Sequence, residues 1–266
     1  QRGGFTATEY ARARAEYISR LEKAYKNRAS RESGSYAREY AAHFTENEPI
    51  PGIEWEYQTM NMIVNQIPVE AINQIFAQYI KPDNRVLLAL FPEKEGVALP
   101  TEAELAQVIA AVDAETIEAY VDNVKSEPLI TNLPVAGKVV KETQNATWGT
   151  TEWTLSNGAK VIIKPTKFKE DEILMTAVAK GGTSEIGDDK ANELIMLPLA
   201  LGQYGLGDYT STDLQKYLAG KQVAIHPSFD EYTRQLSCST TPKDLNSLME
   251  LTYMMFTAYN ITGDEY

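Results

Sequence analysis

The feature that most constrains the fold of this chain is a change of hydrophobic period about halfway along it. In the first half, apolar residues recur mainly at the i, i+3, i+4 spacing of amphipathic helices, and in the second half short strand-like runs become frequent. Residues 126–150 keep no period and contain Pro128 and Pro134, which predicts a linker. We therefore expect one domain in residues 1–125, a linker in 126–150 and another domain in 151–266.

The first domain is predicted to be rich in helices, because two of its periodic stretches begin with a capping box. Thr6 with Glu9, and Thr101 with Glu104, place a hydroxyl and a carboxylate where each can satisfy a free backbone N–H group. A continuous apolar run from Arg85 to Phe91 has the length of a buried strand. The helices predicted in this domain cover residues 6–25, 35–44, 53–64, 68–80 and 101–121.

The second domain is predicted to combine strands and helices. Asn157-Gly158 between two apolar stretches is a strong hairpin signal, and residues 222–229 and 233–240 can pair as a second hairpin. A further strand over 173–180 and helices near 194–201, 214–218 and after Pro242 give the order β-β-β-α-α-β-β-α. We expect an α+β domain with its helices packed on one face of a mostly antiparallel sheet.

Composition excludes several classes of function. The chain has 37 acidic and 25 basic residues and a net charge of −12, which argues against binding to nucleic acid or to an anionic membrane surface. No apolar run approaches the ~18 residues that a membrane-spanning helix needs, so we expect no membrane insertion. Cys238 is the single cysteine, which excludes an intrachain disulfide and a cysteine-based zinc site.

The histidine count restricts metal chemistry further. His43 and His226 are the two histidines of the chain and lie far apart in sequence, so neither can belong to a local histidine motif. We interpret His43 as a residue of a helix C-terminus, where the dipole favours it, and His226 as a strand residue. Cys238 alternates with serines in a predicted strand, which indicates a buried small hydrophobe and not a nucleophile.

Two acidic pairs and one glycine-rich stretch do not match the loops that bind calcium or phosphate. Glu170-Asp171 and Asp188-Asp189 lack the glycine and spacing of a calcium loop, so we expect solvated loop charge. The glycines of residues 202–207 follow a predicted helix, whereas a phosphate-binding loop follows a strand and opens a helix. We therefore predict no catalytic and no metal-binding residue in the chain, and we assign no substrate-binding residue.

Several segments together resemble the pitrilysin/insulinase-type zinc metallopeptidases. The resemblance covers nearly the whole chain and implies two metallopeptidase-like α+β units, the first truncated and helix-rich. Residues 1–125 resemble the C-terminal part of such a protein's second domain, 126–150 the linker between its halves, and 151–266 the N-terminal part of its third domain. The segments that carry the resemblance are Gly3–Thr6, Phe44–Gly52, Asp83–Val86, Phe91–Gly96, Leu155–Val161, Gly181-Gly182 and Leu218–Lys221.

The catalytic motif of this family is absent from the matching position. Members bind zinc through H-x-x-E-H on a helix, with both histidines on one face and the glutamate as general base. The equivalent helix, from Asp188 to Leu199, contains Glu193 but no histidine. The resemblance therefore implies a metal-free third domain without a cofactor of its own, and zinc is expected in the full-length parent, upstream of residue 1.

The resemblance implies a function for the parent protein. The chain begins at Gln1 without methionine and ends at Tyr266 directly after a helical pattern, so we expect an internal piece of a longer protein. That parent would be a zinc-dependent endopeptidase degrading unfolded peptides in a closed chamber, with this inactive piece forming chamber wall and hinge. One alternative is a non-catalytic scaffold or partner subunit of a peptidase-like complex, without enzymatic activity in the full-length protein. A second alternative is an unrelated α+β binding module that shares only the order of elements.

The same resemblance indicates partners and location. The expected partners are an unfolded peptide substrate of the parent and the remaining domains of the same chain. Bacterial members with this domain layout favour the periplasm or cell envelope.

Overall fold

The computed structural model describes residues 3–81, 83–84, 86–92, 94–96, 98–190, 193–194, 197 and 204–260. The α-helices in these residues are α1 (Ala7–Lys26), α2 (Ser33–Glu46), α3 (Ile53–Val64), α4 (Val69–Tyr79), α5 (Glu102–Ala114), α6 (Ser211–Leu218) and α7 (Leu245–Thr257). The strands are β1 (Val139–Asn145), β2 (Thr150–Leu155), β3 (Lys160–Ile163), β4 (Ile173–Lys180), β5 (Gly205–Leu206), β6 (Val223–Phe229), β7 (Thr233–Thr240) and β8 (Tyr259–Asn260).

Both predicted capping boxes are confirmed. The Thr6 hydroxyl accepts a hydrogen bond from the Glu9 backbone N–H at 3.2 Å, and the Glu9 carboxylate accepts from the Thr6 N–H at 2.8 Å. Thr101 and Glu104 form the same reciprocal pair at the start of α5. Because each box satisfies two backbone donors that the first turn leaves free, it determines where its helix begins.

Two predictions for the first domain are wrong. Helix α5 ends at Ala114, and Glu115 is extended (ψ 139°) with its N–H bonded to the Val112 carbonyl, so the periodic residues as far as Val121 lie beyond the helix. The apolar run before Phe91 is not a buried strand in its described part, 86–91: the side chain of Val86 is 93% exposed and no described strand pairs with the run. A strand requires a neighbouring strand to accept its backbone hydrogen bonds, and hydrophobic composition alone does not supply one.

The chain divides into two compact units, and the described strands all lie in the second. The first unit comprises Gln1–Ala11 and Val64–Asn123, and the second comprises Arg12–Ile63 and Val124–Tyr266. In the first unit, the backbone N–H and carbonyl of Phe5 both bond to the Asn73 amide, at 2.7 and 3.0 Å, and the Phe5 ring lies 4.9 Å from that of Phe76. These contacts join the entry to α1 with α4.

The second unit contains three antiparallel sheets, with strand orders β1-β2-β3, β4-β7-β6 and β5-β8. Both predicted hairpins are confirmed: β2 pairs with β3 across Asn157-Gly158, where Gly158 has φ +86°, and β6 pairs with β7. Strand β1 lies within the stretch from which we expected a linker, and it pairs with β2. The strands and helices together make an α+β fold, as predicted.

The core of the second unit lies where α7 packs on the β4-β7-β6 sheet. Leu248 is fully buried against Ile225, Leu236 and Cys238, whose neighbours along their strands are more exposed than they are. Leu251, one turn further along α7, is 1% exposed and belongs to a second cluster around Leu206. The predicted packing of a helix on one face of an antiparallel sheet is therefore observed for α7.

The helix predicted over 194–201 lies mostly outside the described residues. Glu193, Leu194 and Leu197 are helical. The other residues of the prediction are outside the described part of the chain.

Truncation of the α7 core should separate buried from exposed positions on one helix. Leu251→Ala is expected to lower the free energy of unfolding by about 2–5 kcal/mol, because it leaves a cavity in a buried cluster. Met249→Ala, at a position that is 45% exposed, is expected to cost less than about 1 kcal/mol. Urea denaturation of the 266-residue chain measures both values. Equal losses in the two variants would contradict the assignment of the core.

Candidate functional site

The two histidines occupy separate, ordinary positions. His43 lies in the last turn of α2, and its Nδ1 is 2.6 Å from the Glu48 carbonyl oxygen. His226 is an exposed residue of β6 and stands opposite Ser237 of β7. The position of each histidine is therefore typical of the helix end or strand that contains it.

Cys238 is buried, and its surroundings oppose ionisation. Its side chain lies on β7 between Met175 of β4 and Ile225 of β6, and 6% of the residue is exposed. Burial raises the pKa of the Cys238 thiol, which disfavours the thiolate that nucleophilic chemistry requires. The interpretation of Cys238 as a small hydrophobe agrees with this environment.

The residues of the two acidic pairs differ in their exposure to solvent. Asp171 was expected to be solvated, but it is 8% exposed and its carboxylate lies 3.6 Å from Lys26 Nζ. That expectation is wrong, because Lys26 of α1, which is distant in sequence, pairs with the Asp171 carboxylate. Glu170 and Asp189 are exposed. Of the glycine-rich stretch, Gly205 and Gly207 lie in and beside β5, and Gly202 is outside the described residues.

Across the described residues, no group of three or more His, Cys, Asp or Glu side chains is placed to hold a metal ion. In the same part of the chain, no helix is both long and apolar enough to cross a bilayer.

A set of polar side chains, which we call the polar seam, attaches α1 to the sheet-bearing part of the second unit. At its centre the Asp244 carboxylate accepts hydrogen bonds from the Gln222 backbone N–H at 2.8 Å and from the Thr241 hydroxyl at 3.3 Å. The Gln222 side-chain amide in turn donates to the buried Ser19 hydroxyl of α1 at 3.0 Å. The seam therefore runs from the start of α7 through the residue before β6 to the middle of α1.

Ion pairs extend the polar seam towards the end of α1. Lys26 lies 3.0 Å from Glu22 on the same helix, and Lys243 approaches the other oxygen of Glu22 at 3.4 Å. The hydrogen bond from Lys26 is the largest influence on Glu22; together with Lys243 it holds the pKa of the Glu22 carboxyl below its usual value of 4.5, although burial opposes it. The hydrogen bond to Glu22 likewise raises the pKa of Lys26.

A charged cleft of about 960 Å³ lies between α1, α2, α3 and the segment before β4. The guanidinium of Arg31 forms an ion pair of 2.5 Å with Glu39 and lies 4.3 Å from the centre of the Tyr36 ring. Acidic and basic side chains are balanced along the wall, so the cleft has no excess of one charge. The charged residues that line it are Arg20, Lys23, Arg31, Arg38 and Lys169 with Glu32, Glu39, Glu48, Glu56 and Glu172.

An apolar groove of about 550 Å³ lies at the end of the β4-β7-β6 sheet, beside the last turn of α7. Its walls include Leu236 of β7, Phe229 of β6 and Phe256 of α7. Arg234 is the one charged side chain among the described residues that line it. A concave, mostly apolar surface with a single charged group is a common form of ligand site.

The segment that begins the expected linker is attached to the second unit. Leu129 is 5% exposed in the core cluster around Leu206, and the Tyr209 hydroxyl donates to the Glu127 carbonyl at 2.5 Å. Lys125 donates to the Asp208 carbonyl and forms an ion pair with Asp213 at 3.1 Å. The chain is therefore held against β5 and α6 where it enters residues 126–150.

Sequence reasoning missed the polar seam, the charged cleft and the apolar groove. Ser19, Gln222 and Asp244 are far apart in sequence and belong to no motif. One local signal was present: serine at position 19 interrupts the apolar face of α1 between Ile18 and Leu21, which indicates a buried polar contact.

Comparison with known proteins finds similarity both in sequence and in structure. No protein-family model matches the chain. A protein of Arabidopsis thaliana named "Zinc protease PQQL-like" is 26% identical over 230 residues, which cover 86% of this chain and 24% of that protein. The crystal structure of the periplasmic protease PqqL from Escherichia coli matches with a TM-score of 0.49 and 21% identity, covering 98% of this chain and 29% of that one. The ferredoxin protease FusC, in complex with Arabidopsis ferredoxin, matches with a TM-score of 0.47 and 14% identity over 94% of this chain and 30% of that one.

The homology to the Arabidopsis protein confirms the resemblance to pitrilysin/insulinase-type zinc metallopeptidases. The chain spans about a quarter of the length of that relative.

The polar seam predicts a pH dependence of stability. Because folding lowers the pKa of Glu22, its contribution to stability is present above the ordinary pKa of 4.5 and is lost as the pH falls through the lower folded-state pKa. Glu22→Gln should therefore reduce the stability at neutral pH and flatten the loss of stability in acid. Urea denaturation across the acid range measures both effects. Glu16→Gln, on the exposed side of α1, is the control, and a profile for Glu22→Gln as steep as that control's would contradict the assignment.

Proposed function

From this homology we propose that the chain is the non-catalytic central portion of a zinc-dependent endopeptidase that degrades unfolded peptides in a closed chamber. The observation that carries the proposal is a match to a zinc-protease-like protein over 86% of this chain but only 24% of that protein. The parent's peptidase activity and its substrate are parts of the proposal.

The residues of this chain do not fit a zinc site. The two histidines lie on α2 and β6, and the helix that corresponds to the family's catalytic helix has no histidine in its sequence. The single cysteine is buried in the β4-β7-β6 sheet. We therefore propose that zinc is bound upstream of residue 1 in the parent, and we derive no catalytic step within these residues.

The proposed contribution of this chain is to form chamber wall and hinge. We divide it into the end of a second domain (1–125), a linker between halves (126–150) and the start of a third domain (151–266). Support for a hinge comes from the chemistry of the contacts: polar interactions link Ser19, in the middle of α1, to Gln222 and through it to Asp244. Polar and ionic contacts can separate and re-form in water at lower cost than apolar cores, which suits a surface that must open and close.

The partners of the chain are proposed on the same basis. An unfolded peptide and the other domains of the parent are the expected contacts. A periplasmic or envelope location rests on the resemblance to bacterial members alone.

The complete open reading frame provides the test of this proposal. The full-length protein is expected to encode H-x-x-E-H upstream of Gln1, to bind zinc, and to cleave an unfolded, internally quenched peptide in a reaction that a chelator stops. The 266-residue chain alone is expected to bind no stoichiometric zinc and to cleave no peptide, because it lacks the ligands. Zinc is measured by elemental analysis and cleavage by fluorescence.

Two outcomes would overturn the proposal. Chelator-sensitive cleavage by the pure 266-residue chain would show that the chain is itself catalytic. A full-length protein without H-x-x-E-H and without cleavage would instead favour the non-catalytic scaffold or partner subunit.

A further inference from the structure

One face of α1 meets the sheet-bearing part of the second unit, and this face consists of small and polar residues. Ala15, Ser19, Glu22 and Lys26 recur at the i, i+4, i+7, i+11 spacing that places residues on one side of a helix. None of the four is a large apolar residue. The contact of this face with the sheet-bearing part therefore gains little from apolar burial.

The middle of α1 fits closely against the turn between α6 and β6. A Cβ atom on Gly220 would lie 2.9 Å from the Ala15 Cβ, so the approach of this turn to α1 requires glycine, and the φ of +82° at Gly220 favours glycine as well. One turn further along α1, the buried Ser19 hydroxyl accepts a hydrogen bond from the Gln222 side-chain amide at 3.0 Å. We call Ala15, Ser19, Gly220 and Gln222 the pivot.

The end of α1 is held by four charged residues, Glu22, Lys26, Asp171 and Lys243, which we call the clasp. Lys26 Nζ lies 3.0 Å from the carboxylate of Glu22 on the same helix and 3.6 Å from that of Asp171, which precedes β4. Lys243 Nζ, just before α7, lies 3.4 Å from the Glu22 carboxylate. The clasp therefore joins the end of α1 to two separate segments through ion pairs.

Solvent reaches both lysines of the clasp. The side chain of Lys243 is 60% exposed and that of Lys26 is 38% exposed. Ion pairs with exposed partners are weakened by salt, because dissolved ions screen their charges. The hydrogen bond of the pivot joins two uncharged groups, one of them on the buried Ser19, so salt affects the pivot less than the clasp.

A different side of α1 joins this helix to α3. The ring of Tyr25 stacks on that of Tyr57 in α3 with the ring centres 4.5 Å apart, and Arg28, just after α1, forms an ion pair of 3.0 Å with Glu54 of α3. The buried Leu21 lies on the same side of α1 as Tyr25. A movement of the end of α1 would therefore carry α3 with it.

We propose that the clasp is a salt-sensitive switch, which at high ionic strength releases the end of α1, together with α3, from the segments before β4 and α7. The pivot holds the middle of α1 during this movement, and the core around Leu248 stays packed. Local opening of this kind is characteristic of regions held by few apolar contacts. The use of the movement as part of the parent's hinge rests on the proposed function, whereas the switch itself is a property of this chain.

The distance between two spin labels tests the switch in the 266-residue chain. Nitroxides on Ala29→Cys and Lys167→Cys, at exposed positions after α1 and before β4, report how far the end of α1 lies from the Asp171 segment. The native thiol of Cys238 is buried. Double electron–electron resonance is expected to give a narrow distance distribution at about 10 mM salt. At about 1 M salt, where screening acts beyond about 3 Å, the distribution should be longer and broader.

Matched substitutions before β4 test whether the clasp is responsible. Asp171→Asn removes the charge that faces Lys26 and is expected to give the longer, broader distribution already at low salt. Glu170→Gln removes an exposed charge at the neighbouring position and should leave both distributions unchanged. Hydrogen exchange at high salt is expected to show continued protection of the α7 amides and of the Gln222 backbone N–H, because the core and the pivot stay in place.

Four results would overturn the proposal. They are identical distributions at the two salt concentrations, equal effects of the two substitutions, loss of protection at Gln222, and loss of protection throughout α7. The last result would show that salt unfolds the chain as a whole. Because none of these measurements involves peptidase activity, failure of the switch and failure of the proposed function are separate results.

Discussion

The buried carboxylate of Asp244 lies where three parts of the second unit meet, and the arrangement of α1 depends on it. It accepts from the backbone of Gln222 and the side chain of Thr241, so the start of β6 and the turn before α7 are held at one point. Gln222 is then oriented to reach Ser19 on α1. A buried carboxylate is tolerated only with such partners. Removing one of them would leave a charge unsatisfied and release the helix as well as the turn.

The proposed role as wall and hinge depends on how this attachment is divided between apolar and polar contacts. The β4-β7-β6 sheet and α7 share an apolar core around Leu248, which suits the rigid wall of the proposed chamber. The contacts of α1 with Gln222, Lys243 and Asp171 are polar or ionic, which suits a surface that can separate in water. In the proposed parent, this chain would supply packed sheet and helix without histidine ligands, and other residues would supply the metal chemistry.

Local signals predicted the elements, and non-local contacts escaped prediction. Thr6 with Glu9, and Asn157 with Gly158, act within a few residues, so their helix start and hairpin could be inferred from sequence. The run ending at Phe91 was misjudged because strand formation depends on a neighbour that no local pattern reveals. Asp171 was misjudged for the same reason, since its partner Lys26 is remote in sequence. The apolar groove depends on the register by which β7 aligns Ala179 of β4 with Phe229 of β6, and this register becomes visible only after the strands are paired.

The central claim is that this chain is a structural part of a zinc peptidase whose catalytic residues lie elsewhere. It is tested most directly by complementation, in which the parent lacking these 266 residues is mixed with the separately purified chain. The account predicts that the truncated parent retains zinc but cleaves an unfolded peptide poorly, and that addition of the chain restores chelator-sensitive cleavage. Full cleavage by the truncated parent without the chain would contradict the account.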